Sequence, residues 1–367
     1  MTLPNRKKSA LALVSGCTRC GACATRCAFL QEYGLPGEIA ATWSAGQSKV
    51  DPFACSLCDL CAAVCPEKLE PGEFFLELRR RAAADPDFDS RPYRPLLSYE
   101  RLGASPLFAG RSLPAGCKTV FFPGCTLPGS RPQSTRQLYN RLRELVPGLG
   151  LVLNCCHKPS HDLGLQSYFT KRFGDLQQAL LKEGVREIVV ACPNCYKVFL
   201  RYGGKLRVKS AWELLADQSP PKSLPSRVTS TSKVTIHDPC PLRHSSELQQ
   251  AVRRLVASHG LEVKEMKSAG RRTLCCGEGG AVGRVRPELA AHWGKLRREQ
   301  ADGLPVLTYC AGCAGFLHRI GLSTIHLADL LADPVSALKG KSPVSTGLKT
   351  YLNRLLCKFS LLCRHRL

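Results

Sequence analysis

Apolar and polar residues alternate in a regular way from about residue 118 onward. The run TVFFPGC predicts a buried strand that ends at Cys125, and Ser134–Val146 places its leucines at helical spacing. LGLVLNCC predicts a second strand, Leu165–Glu183 a second helix, and EIVVACPNC a third strand that ends at Cys192. This alternation predicts a parallel α/β sheet, and each cysteine group then falls just past the carboxyl end of a strand.

The same order of elements returns about 115 residues later. KVTIHDPC matches KTVFFPGC, TLCCGEGG matches NCCHKPS, LPVLTYCAGC matches EIVVACPNC, and TIHLADLLAD matches VKSAWELLAD. We therefore predict duplicated, Rossmann-like α/β domains, the first repeat at 118–217 and the second repeat at 234–333. The proline- and serine-rich stretch between them, 218–233, is predicted to be a linker.

The chain before the first repeat lacks this alternation. Residues 1–84 are predicted to form a separate α-helical domain whose last helix spans Pro71–Ala84, with proline at its first position. Residues 85–117 are rich in proline and arginine and show no sustained periodicity. We predict that this segment is a linker wrapped over the surface.

The last segment, 334–367, ends in a basic amphipathic pattern. Its apolar residues recur at helical spacing, and basic residues surround them: Leu348, Leu352, Leu355, Phe359 and Leu362, with Lys349, Arg354, Lys358, Arg364 and Arg366. Such a helix can dock on a membrane surface or a partner, or it can pack on its own domain. The pattern leaves both interpretations open.

Composition narrows the class of protein. The chain has 367 residues, enough for two or three domains, and none of its apolar runs approaches the roughly 20 residues that span a bilayer. Its 21 cysteines are clustered in a long chain, unlike those of small secreted disulfide-rich proteins. Closely spaced thiols in a reducing compartment are typical of metal ligands. We therefore expect a cytoplasmic protein, with peripheral attachment to the cytoplasmic face of the inner membrane as an open alternative.

The charge is strongly positive. With 52 basic and 29 acidic residues the formal net charge is +23, which can indicate nucleic acid, an anionic membrane or an acidic partner. Metal centres held by clustered thiolates carry negative charge, so buried centres of this kind would offset part of this excess. The sequence contains neither a recognition helix nor an aromatic-basic motif, which makes nucleic acid the weakest of these interpretations.

The N-terminus allows a second interpretation. Arg6-Lys7-Lys8, a short apolar stretch and Val-Ser-Gly-Cys17 resemble a lipoprotein signal. Lipid attachment at Cys17 would remove this cysteine from the motif described next, so the metal-ligand interpretation is favoured.

All but three of the cysteines fall into two repeated patterns. The first pattern, C-x2-C-x2-C-x3-C, occurs twice in residues 1–84 and is the signature of a two-cluster ferredoxin, in which the fourth cysteine of each motif ligates the other cluster. Cluster A is accordingly predicted to use Cys17, Cys20, Cys23 and Cys65, and cluster B to use Cys55, Cys58, Cys61 and Cys27. A pair of zinc sites is the alternative, but zinc sites usually separate two CxxC pairs by a longer gap. Ala28 stands where a proline usually follows the fourth cysteine.

The second pattern consists of a lone cysteine, an adjacent pair and a CxxC. It supplies five predicted ligands in each repeat: Cys125, Cys155, Cys156, Cys192 and Cys195 in the first, and Cys240, Cys275, Cys276, Cys310 and Cys313 in the second. Adjacent cysteines diverge from the backbone and therefore suit a multi-iron cluster better than a single ion. The glycines of CCGEGG, Gly277, Gly279 and Gly280, would let the backbone approach a bulky cofactor.

These motifs resemble the heterodisulfide reductase-like iron–sulfur proteins, which combine a two-cluster ferredoxin part with two cysteine-rich "CCG" domains. Relatives include the iron–sulfur subunits of glycolate oxidase and of anaerobic glycerol-3-phosphate dehydrogenase. The resemblance implies one or two further, non-cubane clusters in the repeats, and partners such as flavin dehydrogenases or membrane quinone-reactive subunits. It also implies a role beside the cluster for His237 in HDPC. The first repeat departs from the pattern, because His157 replaces the glycine of CCG; a loop residue is slightly favoured over a residue that tunes a cluster.

Two functions follow from this resemblance. The first is an electron-transfer subunit that relays electrons through the two cubanes to or from the clusters of the repeats; the chain has no GxGxxG fingerprint after a strand, so a partner must supply hydride chemistry. The second is a disulfide reductase in which Cys275 and Cys276 are the candidate catalytic residues. The intact glycine-rich loop makes the second repeat the better candidate for chemistry and the first for electron relay.

Overall fold

The N-terminal domain, residues 8–84, consists of five α-helices and a 3₁₀ helix (Pro52–Ala54) joined by loops. The computed structural model describes residues 8–218 and 232–362. The helices of this domain are α1 (Lys8–Gly16), α2 (Ala28–Tyr33), α3 (Pro36–Ser44), α4 (Leu60–Val64) and α5 (Pro71–Ala84). α5 has the predicted bounds. α1 is the apolar stretch before Cys17, and its Ala10 and Leu13 are buried with Phe74 and Phe75 of α5 in the core of the domain.

The segment predicted to be a linker, 85–117, contains regular structure. It forms α6 (Arg94–Gly103) and a short strand, β1 (Gly110–Ser112). Tyr93 and Leu97 are buried, with 2% and 6% of their surface exposed. β1 adds an antiparallel edge to the first sheet, where Arg111 pairs with Val152. The prediction missed these elements because they are short and each is held by contacts with distant residues.

The first repeat is a parallel α/β unit. Its elements are β2 (Thr119–Phe122), α7 (Thr126–Ser130), α8 (Pro132–Leu145), β3 (Gly150–Leu153), α9 (Lys158–Asp162), α10 (Gln166–Lys182), β4 (Glu187–Val190), α11 (Pro193–Tyr202), β5 (Arg207–Ser210) and α12 (Ala211–Ala216). The strand order is β1-β3-β2-β4-β5, and β2 pairs in parallel with both β3 and β4. The predicted strands and helices are present.

The second repeat copies this arrangement. It contains β6 (Lys233–His237), α13 (Ser246–Ser258), β7 (Glu262–Val263), α14 (Pro287–Ala301), β8 (Val306–Thr308), α15 (Ala311–Arg319), β9 (Thr324–His326), α16 (Leu327–Ala332) and α17 (Pro334–Leu338). The strand order of its sheet, β7-β6-β8-β9, corresponds strand for strand to β3-β2-β4-β5 of the first repeat. One expectation is wrong: β7 ends at Val263, so the Cys275-Cys276 pair follows an irregular segment and not a strand.

The two repeats share one hydrophobic core and exchange equivalent helices. α12 of the first repeat packs on α13 of the second, and α16 of the second packs on α8 of the first. Arg131 donates to Asp329 of α16 at 2.7 Å, and Ser134 donates to the same carboxylate at 2.6 Å. A buried ion pair with both partners hydrogen-bonded fixes geometry more than it adds stability. The repeats are therefore one packed body over the described residues and not two independent domains.

The tail forms α18 (Leu348–Leu362), which has two different faces. One face packs on α7 and α8 of the first repeat and buries Arg354 and Cys357. The other face exposes a line of apolar side chains: Leu348, Leu352, Leu356 and Phe359. The interpretation that this helix packs on its own domain is thus correct for one face. The other face is exposed. Among the described residues, helices that combine the length and hydropathy needed to cross a membrane are not found. Cys363, Arg364 and Arg366 lie outside the described residues.

Candidate iron–sulfur centres

The two ferredoxin-type motifs fold with the same backbone pattern. The second residue after the first cysteine is left-handed in both motifs, with φ 55° at Arg19 and φ 48° at Leu57. The residue after the second cysteine is left-handed as well, with φ 77° at Gly21 and φ 57° at Asp59. Such conformations are unfavourable for residues other than glycine and persist where the surroundings require them. They turn amides inward, and the Leu57 amide donates to Cys55 Sγ at 3.4 Å.

The thiols predicted for cluster A surround one pocket. One pocket near the surface is lined by Cys17, Cys20, Cys23 and Cys65, and also by Cys61 of the other set. Burial raises the pKa of Cys23 to about 11, and the proximity of the other three thiols acts in the same direction. Cys65, from the second motif, therefore lies with the first three cysteines of the first motif.

The thiols predicted for cluster B come together in the complementary way. Burial raises the pKa of Cys27 well above its usual range, and the neighbouring Cys58 and Cys55 act in the same direction. The pKa of Cys61 is raised by burial and then by Cys55, Cys58 and Cys27 among its neighbours. The structure thus brings together the two crossed sets of four thiols that the spacing predicts. Iron binding would hold these thiols as thiolates in spite of burial.

In the first repeat all five thiols converge at the carboxyl edge of the sheet. Cys155 Sγ lies 3.9 Å from Cys125 Sγ. Hydrogen bonds from Cys155 and Cys195 lower the pKa of Cys156 to about 6, and Cys192 in turn bonds with Cys195. Five soft donors in one place, of which Cys155, Cys156 and Cys195 are buried, form a donor set for iron and sulfide.

The second repeat gathers its five thiols in the same way. Cys240 and Cys275 are hydrogen-bonded; Cys275 is buried, and Cys240 is partly exposed. Bonds from Cys275 and Cys313, together with the Glu278 amide at 3.5 Å, lower the pKa of Cys276 to about 6. Cys310 and Cys313 are 3% and 5% exposed. The two repeats thus offer equivalent donor sets.

The glycine-rich loop of the second repeat lies against cluster B. A Cβ atom at Gly279 would lie 2.7 Å from the Ser56 carbonyl oxygen, and one at Gly280 would lie 2.8 Å from the Cys55 carbonyl oxygen. Gly280 has φ 62°, a conformation that favours glycine. These glycines therefore permit close contact between two cysteine groups.

The thiols of the two groups are themselves neighbours. Burial raises the pKa of Cys58 to about 11, and the nearby Cys240 acts in the same direction. The bond with Cys240 lowers the pKa of Cys275, but the bond with Cys276, burial and the nearby Cys58 together raise it well above its usual range. Cluster B and the thiols of the second repeat thus lie within electrostatic range of each other.

His237 projects from the end of β6 into the second repeat's thiols. The side chain of His237 is completely buried. One of its ring nitrogens, Cys276 Sγ and Cys313 Sγ all lie within 4.8 Å of one another. Both ring nitrogens lack a hydrogen-bond partner among the described residues. Burial, reinforced by the nearby Arg297, holds the pKa of His237 well below its usual range, so the ring is neutral.

His157, which is predicted to be a loop residue and not one that tunes a cluster, has its side chain buried in the first repeat. It stands at φ 58°, where the second repeat has Gly277 at φ 113°. Its Nδ1 lies 2.9 Å from Glu100 Oε1, and this buried carboxylate also accepts from the Ser160 amide and hydroxyl at 2.8 Å each. His157 is thus a loop residue whose side chain is held inside the protein.

Glu100 connects His157 to the thiols of the first repeat. The bond with Cys125 lowers the pKa of Cys155, but the bond with Cys156, burial and the charge of Glu100 raise it well above its usual range. Since the carboxylate lies within electrostatic range of Cys155, the histidine belongs to the surroundings of the cluster through Glu100.

Buried arginines beside the thiols were missed by the sequence analysis. Arg79 is completely buried and donates to five carbonyl oxygens, among them those of Cys55 at 2.6 Å, Asp162 at 2.8 Å and Gly280 at 2.9 Å. Arg243, 1% exposed, donates to the Cys58 carbonyl at 2.8 Å. Burial raises the pKa of Cys55 and of Cys58, and Arg79 and Arg243 respectively oppose that rise. A buried cation without a carboxylate partner is costly unless an anion lies nearby, and a cluster supplies one.

Family comparisons identify the same parts of the chain. Residues 13–69 match the 4Fe-4S dicluster domain, and residues 119–199 and 234–318 each match the Cysteine-rich domain. The protein is therefore an iron–sulfur protein with two cubane clusters in its N-terminal domain and cysteine-rich domains that provide for further clusters. The chain belongs to the heterodisulfide reductase-like iron–sulfur proteins.

Two relatives illustrate this family. One is a component of the fumarate reductase (CoM/CoB) of Methanothermobacter marburgensis, which is 28% identical over 358 residues, 86% of this chain and 71% of that protein. The other is a component of the dihydromethanophenazine:CoB–CoM heterodisulfide reductase of Methanosarcina barkeri, which is 24% identical over 304 residues, 74% of each chain. Both relatives are subunits of larger reductases, so this chain is homologous to iron–sulfur subunits of oxidoreductase complexes.

Similarity to solved structures is weak. The aspartate racemase of Picrophilus torridus aligns with 65% of this chain, and with 99% of its own, at 13% identity and a TM-score of 0.26. A similarity at this level carries no argument about function.

Proposed function

We propose that this chain is an electron-transfer subunit in which electrons pass from cluster A to cluster B and then to the second repeat, or in the reverse direction. The observation that supports this order is the contact of the Gly279–Gly280 loop with the Cys55–Cys58 loop. The crossed ligand sets join clusters A and B through the same short segments of chain. The ligands of these centres are the cysteines predicted for them.

A second candidate function is reduction of a disulfide at Cys275 and Cys276. It is favoured by the names of the relatives, since both are reductases named with CoM and CoB. Cleaving a disulfide to two thiols takes two electrons and two protons. A redox partner would supply the electrons one at a time through clusters A and B, and solvent would supply the protons.

The partners that we propose are a flavin dehydrogenase, a membrane quinone-reactive subunit, or both. The open face of α18 supports a peripheral contact at the cytoplasmic face of the membrane, because its exposed leucines are accompanied by the exposed Lys349. Nucleic acid is not proposed, since buried arginines beside thiols account for part of the positive charge.

The test begins with anaerobic purification, iron and sulfide analysis, and EPR. We expect two cubane signals and at least one unusual cluster signal; zinc without iron would contradict the proposal. Reduced dyes are then supplied as electron donors. Turnover of a small disulfide, lost in Cys275→Ser and kept in Cys117→Ser, would favour the reductase. Electron passage to a co-purifying dehydrogenase without such turnover would favour the relay alone.

A further inference from the structure

Three buried polar side chains without hydrogen-bond partners lie together below the thiols of the second repeat. They are Thr235 and His237 of β6 and Thr308 of β8, and none of their side-chain polar atoms has a partner among the described residues. Thr308 is in register with His237 across the parallel pair, and Thr235 lies on the same face of β6. All three are 0–1% exposed. Polar groups that stay unpaired at such depth destabilise a folded protein.

The first repeat shows that the fold itself does not need these polar groups. The equivalent positions, counted from Cys125 and Cys192, carry Val120, Phe122 and Val190. These residues are also 0–1% exposed, and the Phe122 ring packs edge-on against Phe199 with 5.1 Å between ring centroids. Apolar side chains therefore fit these three strand positions in the first repeat. Packing alone does not explain why the second repeat has polar side chains at the same positions.

Of the three residues, His237 is the one whose side chain reaches the thiols. Its nitrogen, Cys276 Sγ and Cys313 Sγ all lie within 4.8 Å of one another. Iron and zinc bind imidazole nitrogen at about 2.0–2.1 Å and thiolate sulfur at about 2.3 Å, so three such ligands of one metal atom lie roughly 3.5–4 Å apart. A small inward movement of these side chains would satisfy this geometry.

We propose that His237 is a nitrogen ligand of one iron atom in the cluster of the second repeat, together with Cys276 and Cys313. The proposal rests on the second repeat holding an iron–sulfur cluster. The neutral, buried imidazole is the form that ligates metals. The first repeat, with Phe122 at this position, has only sulfur ligands. The two clusters therefore differ chemically: five cysteines are present in each repeat, and the second repeat adds a neutral nitrogen ligand that the first lacks.

The test uses the full chain, purified anaerobically from cells grown with ¹⁵N-histidine. The protein is poised by dye titration in a state in which the second cluster is paramagnetic, and pulsed EPR measures the ¹⁵N hyperfine coupling. We expect one strongly coupled nitrogen that disappears in His237→Phe and remains in His318→Phe, the same change at an exposed position of the same repeat. His237→Phe reproduces the first repeat and is expected to fold.

A third variant separates a ligand from a hydrogen-bond donor. His237→Cys is expected to keep the iron content and to lack the nitrogen coupling, because a thiolate replaces one ligand by another. If wild-type protein has the cluster signal but only weak nitrogen coupling, His237 donates a hydrogen bond and the inference is wrong, whereas the proposed function stands. If the second repeat gives no iron–sulfur signal at all, or contains zinc alone, the proposed function fails with it.

Discussion

Two arginine side chains place positive charge beside the cluster thiols. Arg79 and Arg243 are buried cations whose hydrogen bonds go to carbonyl oxygens, several of them in the Cys55–Cys58 loop. A positive charge close to a cluster stabilises its more negative, reduced form. The electrostatic role of these arginines can be measured separately from their structural role.

Arg79→Met is expected to lower the reduction potential of cluster B. Loss of one buried charge within several ångströms corresponds to a shift on the order of 100 mV at the effective dielectric constant of protein interiors. An EPR-monitored redox titration measures the potential. Arg81→Met, on the same helix but 44% exposed at its side chain, is the control and should leave the potential nearly unchanged. An equal shift in both variants would contradict a specific role for Arg79.

His157→Gly would restore the CCG sequence and yet destabilise the protein. Glycine suits φ 58°, but the buried Glu100 carboxylate would lose its bond with His157 and keep only the two from Ser160, which costs about 1–3 kcal/mol. Denaturant unfolding under anaerobic conditions measures the loss. Combining His157→Gly with Glu100→Gln should recover part of it. A gain in stability in the single variant would show that the Glu100 contact is unimportant.

Individual elements were predictable to different degrees. Long amphipathic helices and buried apolar strands, such as α10 and β4, followed from periodicity. β1 and α6 did not, because they have only three and ten residues and are held by contacts with distant parts of the chain. The crossed thiol sets followed from spacing, whereas Arg79 did not: an arginine inside an amphipathic helix gives no sign in the sequence that it is buried.

The Gly279–Gly280 loop is the element that joins the two redox parts of the chain. Gly279→Ala would place a methyl group 2.7 Å from the Ser56 carbonyl oxygen, so the loop must move away from cluster B. We expect slower reduction of the second repeat's cluster after cluster B is reduced, measured by rapid-freeze EPR. Gly283→Ala is the matched control, because its methyl group would lie 3.4 Å from Ala290 Cβ. Equal rates in the two variants would exclude this contact as the route.

α18 can be tested without disturbing its packed face. Leu352→Glu with Leu356→Glu changes side chains that are each 55% exposed, so the fold should be retained. Binding to vesicles that contain anionic lipid should fall at least about tenfold, because two apolar side chains leave the interface and two negative charges enter it. Leu200→Glu, at a 65% exposed site on α11, is the control. Unchanged binding of the double variant would assign the open face to a protein partner.

At the scale of the whole molecule, clusters and hydrophobic core stabilise different parts. The domain of residues 8–84 builds its core around the thiol loops, whereas the repeats share a large apolar core of their own. Removal of iron by a chelator under reducing conditions should therefore unfold the N-terminal domain first, with loss of helix signal in circular dichroism. The repeats should keep a cooperative thermal transition. A single transition for the whole apoprotein would contradict this separation.

The exchange of α12 and α16 between the repeats bears on the origin of the chain. Each of these helices finds its main partner, α13 or α8, in the other half of the molecule. A shorter ancestral chain with one repeat would have left that helix without a partner. Two copies could have satisfied each other about a twofold axis, and gene fusion would then have joined them. Once fused, the halves were free to diverge, and the apolar and polar sets at Phe122 and His237 record that divergence.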